Sequence, residues 1–600
     1  RQVVHAHGND AQRSGHQVRR PAPAGAVARH PVHLAMQALV EPAQEMGLVI
    51  RQLRIRNTDL LETQGEAPAL DLHRERFGRP GFRQRGCACR TVVLAGRGTH
   101  YNGHMFSVSD KLYTASGTRA LDRAAIEAHQ IPGYTLMQRA GSAVVEAARA
   151  AYPASNAWLI LCGGGNNGGD GYVVARLAHD FGVKPLVVAL SDPEALAGDA
   201  RQAFEDWRAI GGKTVPWPQA IPDEVNLVID AMLGTGLDRP VSGAYAEAVD
   251  AVNEAAEPCV AVDIPSGLNA DTGAVMGRAV HADLTVTFIG KKRGLFTAEG
   301  PEVAGTLLFD RLEVPTGAYE QVEASGQLLG SDRLARALGR RSRNSHKGQF
   351  GHVLVVGGAI GMSGAARLAG EGALRSGAGL VSVATHPDHA ALLNLPRPEL
   401  MVHGVSNAVE LEQAAERATV LALGPGLGTG PWGQALWRRC LDDPRALVVD
   451  ADGLNLLAAE PRKREDWILT PHPAEAGRLL GVDTATVQSD RFHAAEELAR
   501  RYGATVVLKG CGSIVATPQG GADVCALGNP GMSTGGSGDV LTGVVAAMRA
   551  QGLPAEEAAR IGTIAHALAG DAAARAGERG LLALDIARQL PTGVNSHRDR

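Results

Sequence analysis

The sequence predicts an α/β protein made of two tandem three-layer α/β domains. Three observations predict it: a strand-then-helix rhythm that occurs twice, two glycine-rich loops that each separate a strand from a helix, and a length of 600 residues, which suits several domains. Apolar residues make up 45% and charged residues 20%, so the chain has the composition of globular proteins and not of disordered ones.

Composition also excludes several classes of function. The formal net charge of −4 provides no general basic field for nucleic acid, and no run of about 18 apolar residues is present. The seven cysteines are widely scattered, which favours reduced thiols, and Cys87 and Cys89 lack the second pair that a zinc site needs. We therefore expect a cytoplasmic protein with no nucleic-acid or membrane partner. A homo-oligomer is also expected.

The first part of the chain differs from the rest. Residues 1–104 contain 15 Arg, no Lys and 8 acidic residues, so their formal charge is +7 and the remainder carries −11. They show no sustained helical or strand period. We interpret them as an extension outside the working fold: either translated upstream sequence with Met105 as the natural start, or a disordered basic arm that binds an acidic partner.

The first α/β cycle is predicted over residues 105–315. Thr114, Ser116 and Thr118 are N-cap candidates in front of two amphipathic helices. Short apolar runs then alternate with Ala-rich stretches, which indicates buried parallel strands joined by crossover helices. The predicted strands cover residues 158–161, 185–190, 226–229, 259–262 and 284–288.

The second cycle is predicted over residues 332–593, after a linker at 316–331. Its glycine motifs differ from those of the first cycle, so the two domains are not repeats of each other. The predicted strands cover residues 352–356, 380–384, 420–423, 446–449, 467–469 and 505–508, and the longer helices cover 364–376, 490–502, 537–551 and 555–576.

The first glycine-rich loop covers residues 163–171 and precedes a helix predicted over 172–181. Backbone N–H groups and the positive end of the helix dipole make such a loop an anion site, suited to phosphate or pyrophosphate. A tight turn would explain two or three glycines, but not Asn166, Asn167 and Asp170 in the same loop. The spacing is not GxGxxG, so an ordinary hydride-transfer site is not indicated.

Two further predicted strands end on aspartates. Asp230 leads into a loop over residues 231–240, and Asp263 leads into a segment that contains Ser266. Because ligands bind at the carboxyl ends of strands in open α/β sheets, we expect these segments and the glycine loop to form one site. Asn167, Asp230 and Ser266 offer oxygen ligands without His or Cys, which favours a hard cation over zinc. A helix N-cap is the alternative role for either aspartate taken alone.

On these residues the first domain resembles the NAD(P)HX epimerase family, whose substrate is NAD(P)H with water added across a ring double bond. The resemblance implies a Rossmann-like domain that interconverts the R and S hydrates and binds a potassium ion. It implies that Asp263 is catalytic and contacts the nucleotide, and that Asn167, Asp230 and Ser266 hold potassium. The other residues implied to contact the nucleotide are Asn166, Asn167, Gly168, Gly169, Asp170, Gly234, Thr235, Gly236, Leu237, Asp238, Arg239 and Pro240.

The second glycine-rich loop covers residues 529–539 and leads directly into a helix. Its glycines let backbone amides wrap an anion, and Asp539 in the first helical turn is placed to take a proton from a nearby hydroxyl. Compensation of the helix dipole is the alternative role for Asp539. Three other loops that follow predicted strands, 424–428, 470–475 and 509–513, are expected to face the same cleft.

Lys509 and His472 are the titratable candidates in those loops. A lysine directly after a strand is often merely exposed, but the Gly-x-Gly that follows Lys509 suits an approach to a nucleotide phosphate. His472 lies between two prolines at a strand exit, which favours a functional role over that of an ordinary core or surface histidine.

This half resembles the ribokinase-like superfamily, and within it the ADP-dependent NAD(P)HX dehydratases. The resemblance rests on motifs between residues 347 and 543, where family members often have Ala and Thr in place of Ser533 and Ser537. It implies magnesium and ADP as cofactors and Asp539 as the catalytic base. The implied contacts to the hydrated nucleotide are Ala365, Gly426, His472 and Asp539, and those to the AMP portion are Lys509, Gly510, Cys511, Gly512, Ser513 and Gly538.

Together the two resemblances cover residues 113–590, in the order found in bifunctional NAD(P)H-hydrate repair enzymes. They imply an enzyme that epimerises R and S NAD(P)HX and dehydrates the S form at the expense of ADP, giving AMP and phosphate. One rival hypothesis is a ribokinase-like kinase for a small alcohol such as a vitamin precursor, fused to a nucleotide-binding module. In another, the first domain senses nucleotides or binds proteins without catalysis.

Overall fold

The structure, a computed structural model, describes residues 110–218 and 220–595. The predicted extension over residues 1–104, with Cys87 and Cys89, lies outside the described residues. None of the helices in the described part is long and apolar enough to cross a membrane. The five cysteines in this part form no disulfide bonds.

The first half of the structure is built on a seven-stranded parallel sheet. The strands of this half are β1 (Lys111–Tyr113), β2 (Ala157–Cys162), β3 (Lys184–Ala189), β4 (Thr214–Pro216), β5 (Leu227–Ala231), β6 (Cys259–Val262), β7 (Leu284–Phe288), β8 (Lys291–Lys292), β9 (Thr306–Asp310) and β10 (Gly326–Gln327). The large sheet has the order β4-β3-β2-β5-β6-β7-β9, with every neighbouring pair parallel. Alternate residues of β2 enter two different apolar clusters, Trp158 and Ile160 in one and Leu159 and Leu161 in the other. Burial on both faces therefore explains the continuous apolar runs in the sequence.

The helices of this half pack around that sheet. α1 begins after the predicted N-cap Thr114, whose Oγ1 accepts a hydrogen bond from the Gly117 amide at 3.1 Å. The glycine loop leads directly from β2 into the third helix, so the start of that helix lies at the carboxyl end of the sheet. The helices are α1 (Ala115–Arg123), α2 (Gly133–Ala151), α3 (Asn166–Asp180), α4 (Gly198–Ala209), α5 (Ala244–Glu254), α6 (Gly300–Ala304) and α7 (Thr316–Glu320).

The second half is built on a nine-stranded sheet. Its strands are β11 (His352–Val356), β12 (Leu380–Thr385), β13 (Met401–Gly404), β14 (Val420–Leu423), β15 (Ala446–Val449), β16 (Trp467–Leu469), β17 (Thr505–Leu508), β18 (Ser513–Ala516) and β19 (Ala522–Cys525). The order is β13-β12-β11-β14-β15-β16-β17-β18-β19, parallel as far as β17 and antiparallel from β17 to β19.

The helices of the second half include the long pair that follows the second glycine loop. They are α8 (Asp332–Ala337), α9 (Ser363–Arg375), α10 (Pro387–Leu393), α11 (Ala408–Ala415), α12 (Pro431–Leu441), α13 (Asp452–Ala459), α14 (Pro473–Leu480), α15 (Thr484–Ser489), α16 (Arg491–Tyr502), α17 (Ser537–Ala550), α18 (Ala555–Ala573) and α19 (Ala583–Asn595). α17 starts within the predicted second glycine loop and carries Asp539 in its first turn.

The two halves share backbone pairing and an apolar core. Just after β10, the Leu329 amide donates to the Val524 carbonyl oxygen at 2.8 Å, and the Ala298 amide donates to the Cys511 carbonyl oxygen at 3.3 Å. One apolar cluster contains Phe296 of the first half together with Trp467 of the second. The segment 316–331, predicted as a linker, holds α7 and β10; the proposed domain boundaries themselves stay predictions.

Candidate active sites

A cavity of about 740 Å³ lies at the carboxyl ends of the first sheet. It is bounded by the glycine loop after β2 and by the segments that follow β5, β6 and β7, as expected for an open α/β sheet. Among the residues predicted to bind the nucleotide, those that line it are Asn166, Asn167, Asp170, Gly234, Thr235, Gly236, Leu237, Asp238, Arg239 and Asp263. Gly168, Gly169 and Pro240 are not among its lining residues.

The glycines of the first loop allow a close backbone approach. A Cβ at Gly163 would lie 1.7 Å from the Met232 carbonyl oxygen, and one at Gly168 would lie 2.0 Å from the Gly163 carbonyl oxygen. No side chain caps the helix that follows; its N-cap is Gly165. The N–H groups of its first turn therefore have no side-chain partner, and anion binding at this loop stays a prediction.

Asp263 and Lys292 form an ion pair at the edge of this cavity. The Lys292 side chain is buried, and its Nζ donates to Asp263 Oδ1, to Thr287 Oγ1 at 3.1 Å and to the Phe288 carbonyl oxygen at 3.0 Å. Asp263 Oδ1 also accepts from the Phe288 amide at 3.1 Å, and Asp263 itself has a φ of +67°. A non-glycine residue in this region costs about 1–3 kcal/mol, which the surrounding hydrogen bonds offset.

Two further carboxylates line the same cavity. Asp122 lies near the end of α1, and Asp170 lies on α3; the described residues provide a hydrogen bond to neither. Burial raises the pKa of Asp122 to about 6, against the opposing charge of Lys292. Burial also raises the pKa of Asp170 well above its usual range, and the negative charge of Asp263 adds to it.

Sequence reasoning missed Asp122 and Lys292. Asp122 lies four residues after Thr118, which is buried and lines the cavity, so an i, i+4 pair of polar residues beside buried Leu121 was the available signal. Lys292 lies in a two-residue strand, and its burial follows from tertiary packing alone.

The three predicted potassium ligands lie together beneath the loop that follows β5. Ser266 Oγ donates to Asp230 Oδ1 at 2.5 Å, and the Ser266 amide donates to Asp230 Oδ2 at 2.8 Å. Ser266 Oγ also accepts from the Leu233 amide at 2.8 Å, and a Cβ on the next residue, Gly234, would lie 3.6 Å from Asn167 Oδ1. All three side chains are buried, and burial raises the pKa of Asp230 to about 6.

The side-chain donors of Asn167, Asp230 and Ser266 show whether this cluster suits a cation. Asn167 Nδ2 has no hydrogen-bond partner among the described residues, so the amide orientation is not fixed by protein contacts. One carboxylate, one amide and one hydroxyl form an oxygen-only donor set of low charge, which suits a hard monovalent ion. In the described ranges, no group of three or more His, Cys, Asp or Glu is arranged to hold a metal.

The second candidate site centres on Lys509, at the end of β17. Its Nζ lies 2.8 Å from Asp450 Oδ1 and 3.7 Å from Glu475 Oε2. Thr542 Oγ1 donates to the other Asp450 oxygen at 2.7 Å, and so ties α17 to the end of β15. A Cβ at Gly538 would lie 3.1 Å from Lys509 Nζ, which places the second glycine loop directly against this lysine.

Asp539 follows Gly538 in the first turn of α17. Burial raises its pKa to about 7, the negative charge of Asp450 adds to the shift, and the positive charge of Lys509 opposes it. The pKa of a carboxylate with this environment lies near neutral pH, where it can act as a general base. The predicted role of Asp539 therefore has a physical basis in its surroundings.

The other residues predicted to contact the hydrated nucleotide lie on neighbouring loops. Gly426 has a φ of +59°, and a Cβ there would lie 3.2 Å from the Ala365 Cβ, so these two residues are adjacent. His472 caps α14: its Nδ1 accepts from the Ala474 amide at 3.1 Å, and its own amide donates to Glu475 Oε2 at 2.8 Å. This capping box gives His472 a structural role, while its side chain stays half-exposed.

The predicted AMP-binding loop over residues 509–513 also contacts the first half of the chain. The Thr297 hydroxyl lies 3.1 Å from the Cys511 carbonyl oxygen and 3.0 Å from that of Gly512, and it accepts from Arg491 Nε at 3.0 Å. Gly512 has a φ of +60°, and a Cβ there would lie 1.9 Å from the Phe296 carbonyl oxygen. The loop is therefore held from both domains.

Two family profiles match the chain, one in each half. A profile described as NAD(P)H-hydrate dehydratase matches residues 353–592, and one described as YjeF-related protein N-terminus matches residues 133–294.

Two relatives are similar over most of the chain. The bifunctional NAD(P)H-hydrate repair enzyme of Coxiella burnetii is 44% identical over 485 residues, which cover 81% of this chain and 99% of the relative. The bifunctional NAD(P)H-hydrate repair enzyme of Escherichia coli is 42% identical over 490 residues, which cover 82% of this chain and 95% of that relative. An ADP/ATP-dependent NAD(P)H-hydrate dehydratase from Bacillus subtilis, co-crystallized with ATP/Mg2+, is 28% identical, with a TM-score of 0.41 over 45% of this chain and 98% of that chain.

A Rossmann-like domain followed by a ribokinase-like domain, each with a glycine loop and buried carboxylates at the carboxyl edge of its sheet, defines a two-site α/β enzyme. The sequence relatives specify it further: the chain belongs to the family of bifunctional NAD(P)H-hydrate repair enzymes. The predicted fold class, enzyme class and family resemblance are confirmed. The roles of individual site residues stay predictions.

Proposed function

We propose that the first domain epimerises R and S NAD(P)HX, and that the second dehydrates the S form at the expense of ADP, giving NAD(P)H, AMP and phosphate. The observation that carries the proposal is that a chain of this family holds, in each of its two glycine loops, a half-buried carboxylate with a raised pKa: Asp170 in the first and Asp539 in the second. Proton transfer to and from a ring hydroxyl near neutral pH needs such groups.

In the second domain, the hydroxyl of the hydrate must become a leaving group. Asp539 takes the hydroxyl proton while that oxygen forms a bond to the terminal phosphorus of ADP, and the bond from that phosphorus to the oxygen of AMP breaks. The ring nitrogen lone pair then expels phosphate, and a proton leaves the adjacent ring carbon to restore the double bond. Because AMP and phosphate are the products, each ADP is consumed once per hydrate repaired.

The backbone and Lys509 supply the charge that phosphoryl transfer needs. No side chain caps the start of α17, so its first backbone amides, around Gly538, can bind a phosphate group, and Lys509 Nζ lies against the same turn. Asp450 and Glu475 hold that lysine in position. Magnesium, when bound, would neutralise the diphosphate, and it would be held chiefly by diphosphate oxygens because these two carboxylates already face Lys509.

In the first domain, an acid that protonates the ring hydroxyl allows the lone pair of the ring nitrogen to expel that hydroxyl as water. Asp122 and Asp170 are carboxylates with raised pKa values in one cavity, so one can donate a proton while the other accepts one from the returning water. Asp263 lines the same cavity and forms an ion pair with Lys292, and we propose that it contacts the substrate there. Water that adds to the opposite face gives the other epimer.

Potassium is proposed for the cluster of Asn167, Asp230 and Ser266. Its positive charge would compensate the buried Asp230 carboxylate and would order the loop of residues 231–240, several of which line the cavity. The oxygen-only donor set and the burial of all three side chains support this proposal. A cytoplasmic location and the absence of nucleic-acid or membrane partners stay proposals based on composition, and a homo-oligomer also stays a proposal.

The deciding experiment is incubation of the purified full chain with a mixed R and S hydrate and ADP. We expect the absorbance of reduced nicotinamide to recover completely, with one AMP and one phosphate released per molecule repaired. A small-alcohol kinase would instead release a stable phosphoester and no inorganic phosphate. Recovery of only the S fraction would support the dehydratase but contradict an active epimerase domain.

A further inference from the structure

A second cavity, of about 490 Å³, lies on the first domain outside every residue predicted to bind substrate. One wall is the segment that follows β3, which includes Ser191 and Asp192. The other walls are β4 with the adjoining Trp217, and the first turn of α5 with Glu247. The cavity therefore lies at the carboxyl ends of β3 and β4.

This second cavity adjoins the first across the glycine loop. Gly164 lines the first cavity, and a Cβ on it would lie 2.8 Å from the hydroxyl of Ser191, which lines the second. Helix α5 is also shared, because Tyr245 lines the first cavity and its neighbour Ala244 lines the second. Between the two cavities lies the uncapped start of α3.

The strand order gives the two cavities distinct positions. β3 and β4 lie on one side of β2, and β5, β6 and β7 lie on the other. From β2 the chain first adds strands on one side of it and then, from β5, on the other side. This reversal leaves a crevice at the carboxyl end of β2, from which a ligand can reach both groups of strands. A dinucleotide has two nucleoside ends joined by a diphosphate, so it matches two cavities that flank one anion site.

The walls of the second cavity suit a purine nucleoside. Trp217 packs against an apolar cluster with Leu186 and Leu190, and its Nε1 is buried with no hydrogen-bond partner among the described residues. A flat aromatic surface of this kind stacks well on a base. Ser191 and Asp192 supply a hydroxyl and a carboxylate, which are the groups that bind ribose hydroxyls.

We propose that the second cavity binds the adenosine end of the hydrated dinucleotide, while the diphosphate crosses the start of α3 and the nicotinamide end enters the first cavity. This inference rests on the proposed epimerase function of the first domain. Asp192 and Glu247 are the charged residues that line the cavity, and both are acidic. A 2′-phosphate carries nearly two negative charges, so the same cavity prefers NADHX to NADPHX.

The test compares epimerisation of NADHX and NADPHX, without ADP, so that the second domain is silent. For the wild type we expect kcat/KM to be about tenfold higher with NADHX. Trp217→Ala is expected to raise KM about tenfold for both hydrates and to leave kcat unchanged, because stacking binds ground state and transition state alike. Asp192→Asn removes one negative charge from the second cavity, so it is expected to reduce the ratio of kcat/KM for NADHX to that for NADPHX.

Phe181→Ala is the matched control, because Phe181 is an exposed aromatic of the same domain and does not line either cavity. AMP is expected to compete with the hydrate in epimerisation by the wild type, which tests the inference even if Trp217→Ala fails to fold. Equal kinetics for Trp217→Ala and Phe181→Ala, or no competition by AMP and no change in preference in Asp192→Asn, would overturn it. If the wild type epimerises neither hydrate, the proposed function fails instead.

Discussion

Asp539 is the side chain on which the proposed dehydration depends most. Asp539→Asn keeps the size of the residue and its place in the first turn of α17, but it cannot take a proton. We expect turnover with the S hydrate to fall about 10²–10⁴-fold, since this is the usual cost of losing a positioned general base. ADP affinity should hold or increase, because a negative charge leaves a phosphate-binding loop.

Turnover and ADP affinity are measured on the same preparation, with Asp442→Asn as the control because Asp442 is exposed in the same domain. A residue that only caps the helix would give a different pattern, since Asn caps a helix about as well as Asp. Near-normal turnover would therefore remove Asp539 from the mechanism.

The raised pKa of Asp539 also predicts a pH profile. Because burial raises this pKa to about 7, the carboxylate is protonated and inactive as a base at lower pH. We expect kcat/KM for dehydration to rise with pH, to reach half its maximum near pH 7 and then to level off. A carboxylate at its ordinary pKa would give a flat profile from pH 5 to 8, and that outcome would contradict the assignment.

The role of Asp122 can be tested without affecting dehydration, because Asp122 lies in the first domain. We expect Asp122→Asn to cut epimerisation about 10²–10⁴-fold and to leave ADP-dependent repair of pure S hydrate unchanged. This variant is a cleaner test than Asp263→Ala, which would leave Lys292 buried and unpaired at a cost of about 3–5 kcal/mol. Asp223→Asn, on the surface of the same domain, is the control. Normal conversion of the R hydrate by Asp122→Asn would exclude Asp122 as the acid or base.

The strands that could be predicted are those buried on both faces. Every strand with a parallel neighbour on both sides was located from an apolar run, to within two residues at either end, because parallel strands between two helical layers need apolar side chains at successive positions. Edge strands lack this signal: β4 has three residues, one of them Pro216, and β13 is largely exposed. β18 and β19 form a hairpin of two four-residue strands, too short for a clear sequence pattern, and only their pairing in the sheet identifies them.

The sites could be predicted wherever their residues follow a strand. Asp230, Asp263, Lys509 and the two glycine loops all lie at the carboxyl ends of strands. Within each sheet these ends meet at one edge, so the site could be predicted without knowing which distant residues contact each other. Asp122 lies on a helix that precedes the sheet, so only packing could place it in the cavity. The second cavity depends on Trp217, beyond an edge strand that the sequence does not reveal.

The loop that follows β5 provides a test of the potassium cluster. Burial raises the pKa of Asp230 to about 6, so above pH 6 the folded protein carries a buried charge that costs stability, and below it the carboxyl is neutral. Potassium should therefore raise Tm at pH 7.5 and have little effect at pH 5. At 100 times its Kd the ion would add about 2.7 kcal/mol, which is a shift of a few degrees.

The comparison salt is choline chloride at equal ionic strength. Asp230→Asn should abolish the difference between potassium and choline, while Asp223→Asn should retain it. An equal Tm in both salts for the wild type at pH 7.5 would contradict a potassium site in this cluster.

The two domains contact each other directly. They share an apolar cluster, a backbone pairing between the segment after β10 and β19, and the contact of Thr297 with the loop of residues 509–513. Arg491 is fully buried at this junction and is aimed at the carbonyl oxygens of Lys509 and Gly512. The first domain therefore helps to set the conformation of the loop that is predicted to bind AMP in the second.

Thr297→Val tests this dependence, because valine keeps the branched shape and removes only the hydroxyl. The carbonyl oxygens of Cys511 and Gly512 and the Nε of Arg491 would then lose a partner, at a cost of about 1–3 kcal/mol. Since this loss loosens the loop without touching Asp539, we expect KM for ADP to rise about tenfold while kcat falls little. Epimerisation should not change, because Thr297 does not line the first cavity. Thr316→Val, at an exposed threonine, is the control, and an unchanged KM for ADP in Thr297→Val would mean that the second domain holds its nucleotide loop alone.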